Sequence, residues 1–221
     1  MSMSNCPKNS IFYYTNNILP PKLLNYTLNE ALKHSQENDC ELILTSHFPL
    51  TKKYEVVKLG EEHYYEDMSP ITREKKKSSL YDYIISGNII EDDRVKAYVV
   101  GKLPYSLDSI IRQLLLSMEV CNGENIILME HDCLYPKNYI ESINKAVNGY
   151  NKDLTYCHYA NVFLSSNGYC NQSNPTLFLG NCAGKKDLFK ELYTKKLELF
   201  LSGKSRLFEP LLIILIIKRK Y

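Results

Sequence analysis

The sequence predicts an α/β fold: a mostly parallel central sheet flanked by helices. Three observations lead there. Strand, helix and strand patterns follow one another within residues 10–45. Leu107, Ile110, Ile111, Leu114, Leu115 and Met118 form the i, i+3, i+4, i+7 stripe of a core-facing helix. Asn125–Met129 is then apolar at successive positions, as a strand buried on both faces requires.

Taken in order, Ser10-Ile-Phe-Tyr-Tyr14 is β-rich and ends in the polar Thr15-Asn16-Asn17. Pro20-Pro21 opens a helix whose apolar face carries Leu24, Leu28, Ala31 and Leu32. Glu41–Thr45 is the second strand, followed by Ser46-His47. Residues 51–98 read as a polar insertion, with a short strand expected over Tyr54–Leu59 and a short helix over Leu80–Ile85. Ser106 is a good N-cap for the striped helix, and Gly123 closes that segment. Pro136 suits the first turn of another helix, closed by Gly149. Asp153–Ser165 and Leu177–Leu179 are strand-like, and Lys185–Leu201 is a final amphipathic helix.

Composition limits the function classes. The 221 residues are 44% hydrophobic and 24% charged, which argues against a disordered chain or a multi-span membrane protein. The 27 basic and 25 acidic residues nearly cancel, so no strong overall field draws the chain to nucleic acid. The seven cysteines include no C-x-x-C pair, and no basic-then-apolar leader opens the chain. Reduced thiols in a cytoplasmic protein are the expectation. Leu211–Ile217 is an apolar run followed by Lys218-Arg219-Lys220, far short of the ~20 residues of a span. It suits a buried strand, or weak contact with a membrane surface.

The segment richest in chemistry is Ile126-Ile-Leu-Met-Glu130-His131-Asp132-Cys-Leu-Tyr-Pro136. An apolar strand delivers two acids, one residue apart, at its carboxyl end, where open α/β sheets bind ligands. In extended geometry residues i and i+2 face the same way, so Glu130 and Asp132 point toward one hard cation and its phosphate ligands. A polar strand end with Asp132 capping the next helix is the alternative these residues allow.

The chain resembles nucleotide-sugar-dependent glycosyltransferases of the GT-A fold, a Rossmann-like architecture. Ile11-Phe-Tyr-Tyr-Thr-Asn-Asn17 and the Pro-started helix resemble that family's first βα unit. Glu130-His-Asp-Cys-Leu-Tyr-Pro136 resembles a bacterial and phage variant of its D-x-D motif. Gly180-Asn-Cys-Ala-Gly184 resembles the segment before the acceptor-side helix, and Arg206-Leu-Phe-Glu-Pro210 a late active-site loop. The resemblance implies one domain over residues 1–210 and transfer of a sugar from a nucleotide-sugar to a hydroxyl-bearing acceptor. That acceptor class spans glycans, lipid-linked sugars, proteins and, less favoured by the charge balance, a modified nucleic-acid base.

A divalent metal, Mn²⁺ or Mg²⁺, is implied, held by Glu130 and Asp132, with His158 as a later ligand. Thr15, Asn16, Asn17 and Ser46 are implied to meet the nucleotide, and Arg112 its diphosphate. Asp187 and Glu209 are the implied candidates for the base. The resemblance also leads us to expect a glycine and a polar continuation after Pro210. The apolar residues 211–217 depart from that, as a truncated or frame-shifted tail would. Two other classes stay open: a nucleotidyltransferase, against which the Gly- and Lys-free loop of residues 15–20 counts, and a binding-only relative.

Overall fold

The computed structural model describes residues 8–51, 53–59, 92–101, 103, 107–149, 162–164, 170–172 and 182–203. Within them the chain builds a mostly parallel sheet between two layers of helices, as the sequence predicts. The elements are β1 (Asn9–Thr15), α1 (Pro21–Glu37), β2 (Glu41–Ser46), β3 (Glu55–Val56), β4 (Val95–Val99) and α2 (Leu107–Val120). They continue with β5 (Asn125–Glu130), α3 (Tyr139–Gly149), β6 (Val162–Leu164), β7 (Cys170–Gln172), β8 (Ala183–Lys185) and α4 (Lys186–Leu201).

Six strands pair in the order β3-β4-β2-β1-β5-β8. All neighbours are parallel except β8, which runs antiparallel to β5. β6 and β7 pair separately as an antiparallel ribbon. β1 is the axis, buried along its whole length and paired on both edges. Its alternate side chains enter two cores. Ile11 and Tyr13 join Leu42, Leu44, Ile127 and Met129 under α1 and α3. Phe12 and Tyr14 join Ile43, Ile126 and Leu128 under α2 and α4, through Ile111, Leu114, Met118, Phe189 and Tyr193.

α1 begins where Pro21 places a fixed φ at the first helical position, and the Tyr13 hydroxyl shares a 2.8 Å hydrogen bond with Thr27 across the α1–β1 contact. Among the described residues, no helix is long and apolar enough to cross a membrane. Cys40, Cys121, Cys133 and Cys182 carry free thiols.

The amino edge of the sheet is tied by one buried carboxylate. Glu41 opens β2 and is 3% exposed. Its Oε2 accepts from Ser10 Oγ at 2.7 Å and from Asn122 N at 2.8 Å. Its Oε1 accepts from Asn122 Nδ2 at 3.1 Å and pairs with Lys96 Nζ at 2.6 Å. Lys96 also donates to Val120 O at 3.0 Å, and Gly123 N donates to Ser10 Oγ at 3.0 Å. β1, β2, β4 and the α2–β5 loop meet at this group. Only glycine fits at 123, where a Cβ would lie 2.5 Å from Ser10 Oγ and 2.7 Å from Ser10 N.

Several boundaries differ from expectation. Residues 95–98 lie not in a polar insertion but in β4, an interior strand. Lys96 disguises it, and in the fold its ammonium is used by Glu41. β3 has two residues where six were expected over Tyr54–Leu59, and α3 starts at Tyr139, after a turn in which Tyr139 N donates to Pro136 O. The expected N-cap Ser106, the helix at Leu80–Ile85, the strand at Leu177–Leu179, the residues 153–161 and the tail after Gly203 lie outside the described residues.

Glu41→Ala is expected to lower unfolding free energy by about 3–5 kcal/mol, because Lys96, Ser10 and Asn122 lose their shared acceptor in a buried site; urea unfolding reads this directly. His34 gives a second expectation. It is buried on α1, edge-on to Tyr139 at 6.2 Å, and burial lowers its pKa below the usual 6.5. The unfolded chain therefore binds the proton more readily. The stabilisation is complete above about pH 6.5 and is lost as pH falls through the lower folded value. Melting curves between pH 7.5 and 5 are expected to show a smaller pH-dependent loss for His34→Leu than for the parent chain.

Candidate functional site

The connections of the sheet reverse direction at β1. From β1 the chain moves outward through β2 to β4, with α1 on one face. It then crosses through α2, on the other face, to β5 on the opposite side of β1. A crevice outside the carboxyl ends of β1 and β5 follows from that reversal, and this is where doubly wound sheets bind ligands. The register levels the edge there: Tyr14 pairs with Glu130 and Thr15 with Ser46. The loops after β1, β2 and β5 all rise from it.

Glu130 is the last residue of β5, and the strand does not continue. His131 and Asp132 form a turn, with Cys133 N donating to Glu130 O at 3.3 Å. The acids therefore meet through a turn and not through the extended i, i+2 geometry expected from the sequence. The turn adds a thiol: Cys133 Sγ lies 3.6 Å from Glu130 Oε2 and 3.8 Å from Asp132 Oδ1. One donor atom from each of Glu130, Asp132 and Cys133 fits within 4.8 Å. Ligands on opposite sides of a cation, each about 2.0–2.6 Å away, stand roughly 4–5 Å apart, so this donor set fits one ion.

Tyrosines hold Glu130 in place. Tyr14 Oη donates to Glu130 Oε1 at 2.6 Å, and Glu130 N donates to Tyr135 Oη at 2.8 Å. Tyr135 packs against Tyr139 with ring centres 4.5 Å apart and planes tilted by 49°. Burial, reinforced by the Glu130 charge, raises the Tyr14 pKa well above its ordinary value, so its hydroxyl stays a donor. Burial and the two adjacent acids likewise push the Cys133 thiol up. His131 Nδ1 lies 3.3 Å from Tyr14 O. A carbonyl only accepts, so Nδ1 carries the proton and Nε2 is left as an acceptor. Burial lowers the His131 pKa, opposed by Asp132.

The loop after β1 is built from its own side chains. Asn16 Oδ1 accepts from Ile18 N at 3.1 Å, and Thr15 Oγ1 accepts from Asn17 N at 2.9 Å. Asn17 adopts φ 60°, a left-handed conformation asparagine tolerates. Its amide clasps Phe48, accepting from the backbone N at 3.1 Å and donating to the carbonyl at 3.3 Å. Ser46 Oγ donates to the same carbonyl at 2.7 Å. The structure brings Thr15, Asn16, Asn17 and Ser46 to the rim with Glu130 and Asp132. Of the polar side-chain atoms named here, those of Asn17 join the β1 loop to the β2 loop, while the Thr15 and Ser46 hydroxyls bond within their own loops.

Two expected residues stand apart. Arg112 donates to Leu59 O at 2.8 Å and pairs with Asp108 at 3.4 Å, tying α2 to the segment after β3. Asp187 lies at the other edge of the sheet: Lys185 pairs with Asn125, and Lys186 N donates to Glu124 O. Five strand residues separate that level from Glu130, about 16 Å at 3.3 Å per residue. Exposed in the first turn of α4, Asp187 suits the helix dipole. His158 and Glu209 lie outside the described residues.

Comparison with known proteins gives little beyond this. No family model matches the chain, and no curated protein matches it. Among solved structures it is similar to HddC from Yersinia pseudotuberculosis, at 9% identity and a TM-score of 0.42 over 82% of this chain and 79% of that one. It is also similar to 4-diphosphocytidyl-2C-methyl-D-erythritol synthase, at 10% identity and a TM-score of 0.37 over 86% of this chain and 80% of that one.

Asn17→Ala removes both bonds to Phe48 and puts alanine at a left-handed φ. It is expected to lower stability by about 1–3 kcal/mol, read as a drop in melting temperature with no ligand added.

Proposed function

We propose that this chain is a divalent-cation-dependent glycosyltransferase that uses a nucleotide-sugar donor. The observation that carries the reading is the convergence of Glu130, Asp132 and Cys133 at the carboxyl ends of β1 and β5, where the strand order reverses. Glu130 and Asp132 would hold the cation through carboxylate oxygens, with the Cys133 thiol beside them as a hydrogen-bond donor, and His158 remains the proposed later ligand. Such a cation supplies Lewis-acid stabilisation of the diphosphate that departs.

The remaining work falls to the protein. The β1 and β2 loops, locked together through Asn17, offer a preformed rim for the nucleotide, with Asn16 as the polar side chain proposed to face it. In the transfer the acceptor oxygen bonds to the anomeric carbon. The bond from that carbon to the diphosphate breaks with its electron pair, and the hydroxyl proton passes to a base. Of the two acids expected for that role, Asp187 stands about 16 Å away along β5, and Glu209 is kept as the proposed base.

The test is thermal melting with UDP-, GDP-, CDP- and TDP-sugars and the corresponding diphosphates, with and without Mn²⁺. A ligand at 100 times its Kd adds about 2.7 kcal/mol, a shift of about 5–10 °C for a chain of this size. The expected result is a shift that needs both nucleotide and cation, is lost in Asp132→Ala, and is matched by release of a nucleoside diphosphate. Release of pyrophosphate from a nucleoside triphosphate would replace this reading with nucleotidyl transfer. A shift without release would leave a binding-only protein, and no shift with any donor would overturn the reading.

A further inference from the structure

We propose that Tyr14 is the positioning residue of Glu130, presenting one carboxylate oxygen of that side chain to the cation; this rests on the reading of the acid turn as a cation site. Tyr14 lies on β1 directly across from Glu130 in the sheet register and is 4% exposed. Its hydroxyl donates to Glu130 Oε1 at 2.6 Å, a short, charge-assisted hydrogen bond. Glu130 Oε2 is thereby left on the side of Cys133 Sγ, 3.6 Å away. The backbone of Glu130 is held as well, since its N–H donates to Tyr135 Oη at 2.8 Å. His131 adds a third tie, its Nδ1–H reaching the carbonyl of Tyr14 itself at 3.3 Å. Strand β1 and the residues after β5 thus fix both ends of one acid.

The Tyr14 ring packs with Phe12, Ile43 and Leu128 in the core under α2 and α4. Phenylalanine would fill that space as well. What the hydroxyl adds is orientation: without it the carboxylate turns about its terminal torsion, and a cation must order it on binding. Hydrogen bonds to metal-ligating carboxylates typically change affinity 10- to 100-fold when removed.

The experiment is calorimetric titration of the full chain with Mn²⁺, alone and beside each of UDP, GDP, CDP and TDP. It compares the parent, Tyr14→Phe, Tyr14→Met and Asp132→Ala, each melted first in EDTA. The parent is expected to bind Mn²⁺ and Asp132→Ala to lose it. Tyr14→Phe is expected to bind about 10- to 100-fold more weakly at an unchanged metal-free melting temperature. Parent-like affinity in Tyr14→Phe, with binding still dependent on Asp132, overturns the positioning role and leaves the cation site standing. No binding by the parent overturns the cation site and the positioning role together. If Tyr14→Phe fails to fold, Tyr14→Met, which also lacks the hydroxyl, decides: weakened binding supports the inference, and parent-like affinity overturns it.

Discussion

The carboxylate of Glu41 is the interaction on which the sheet depends. A buried anion is costly unless every lone pair is used, and Glu41 is satisfied by Ser10, Asn122 and Lys96, which arrive from three other parts of the chain. The constraint is therefore non-local. β1, β2 and β4 must be in register, and the loop after α2 must close tightly at Gly123, before any of these donors reaches it. Apolar burial alone would tolerate a slipped strand more readily. A slip by one residue would also turn each strand's two side-chain faces over, and both faces here are packed.

What is fixed at the amino edge determines what stands at the carboxyl edge. β1, β2 and β5 are of similar length and start level, so they end level. Tyr14 and Glu130 then face each other as a consequence of register, and the loops after β1 and β2 come close enough for Asn17 to clasp Phe48. The acid turn is a product of the same arrangement. Once β5 ends at Glu130, the His131–Asp132 turn folds Cys133 back between the two carboxylates.

Local pattern made much of the fold legible. The apolar runs at 11–14, 42–44 and 126–129, the Pro-started α1 and the striped α2 each carry their own signal, and the Glu-x-Asp pair at a strand end marked the site. β4 was hidden because Lys96 breaks its apolar run, and the partner that neutralises it, Glu41, lies 55 positions earlier. β8 was hidden because three residues with two small side chains carry no period. The same limit governed the site. Cys133 was in plain view beside the acids, but the turn that aims its sulfur was not. Tyr14 and Tyr135 carry no local sign of their bonds to Glu130, since only the pairing register shows that Tyr14 faces it. Asp187 followed the motif in sequence, and an antiparallel β8 carried it to the other edge.

The order of strands also decides where the sheet could meet another molecule of its own kind. The long apolar strands β1, β2 and β5 are interior, each paired on both sides. The outermost strands of the six-stranded sheet are β3, two residues long and carrying exposed Glu55, and β8, three residues ending in Lys185. Short, charged edges are poor templates for adding a foreign strand. Among the described residues, the apolar strands most prone to stack into fibres are out of reach in the folded chain. Aggregation through these strands should therefore track unfolding and be nearly indifferent to the concentration of the native form.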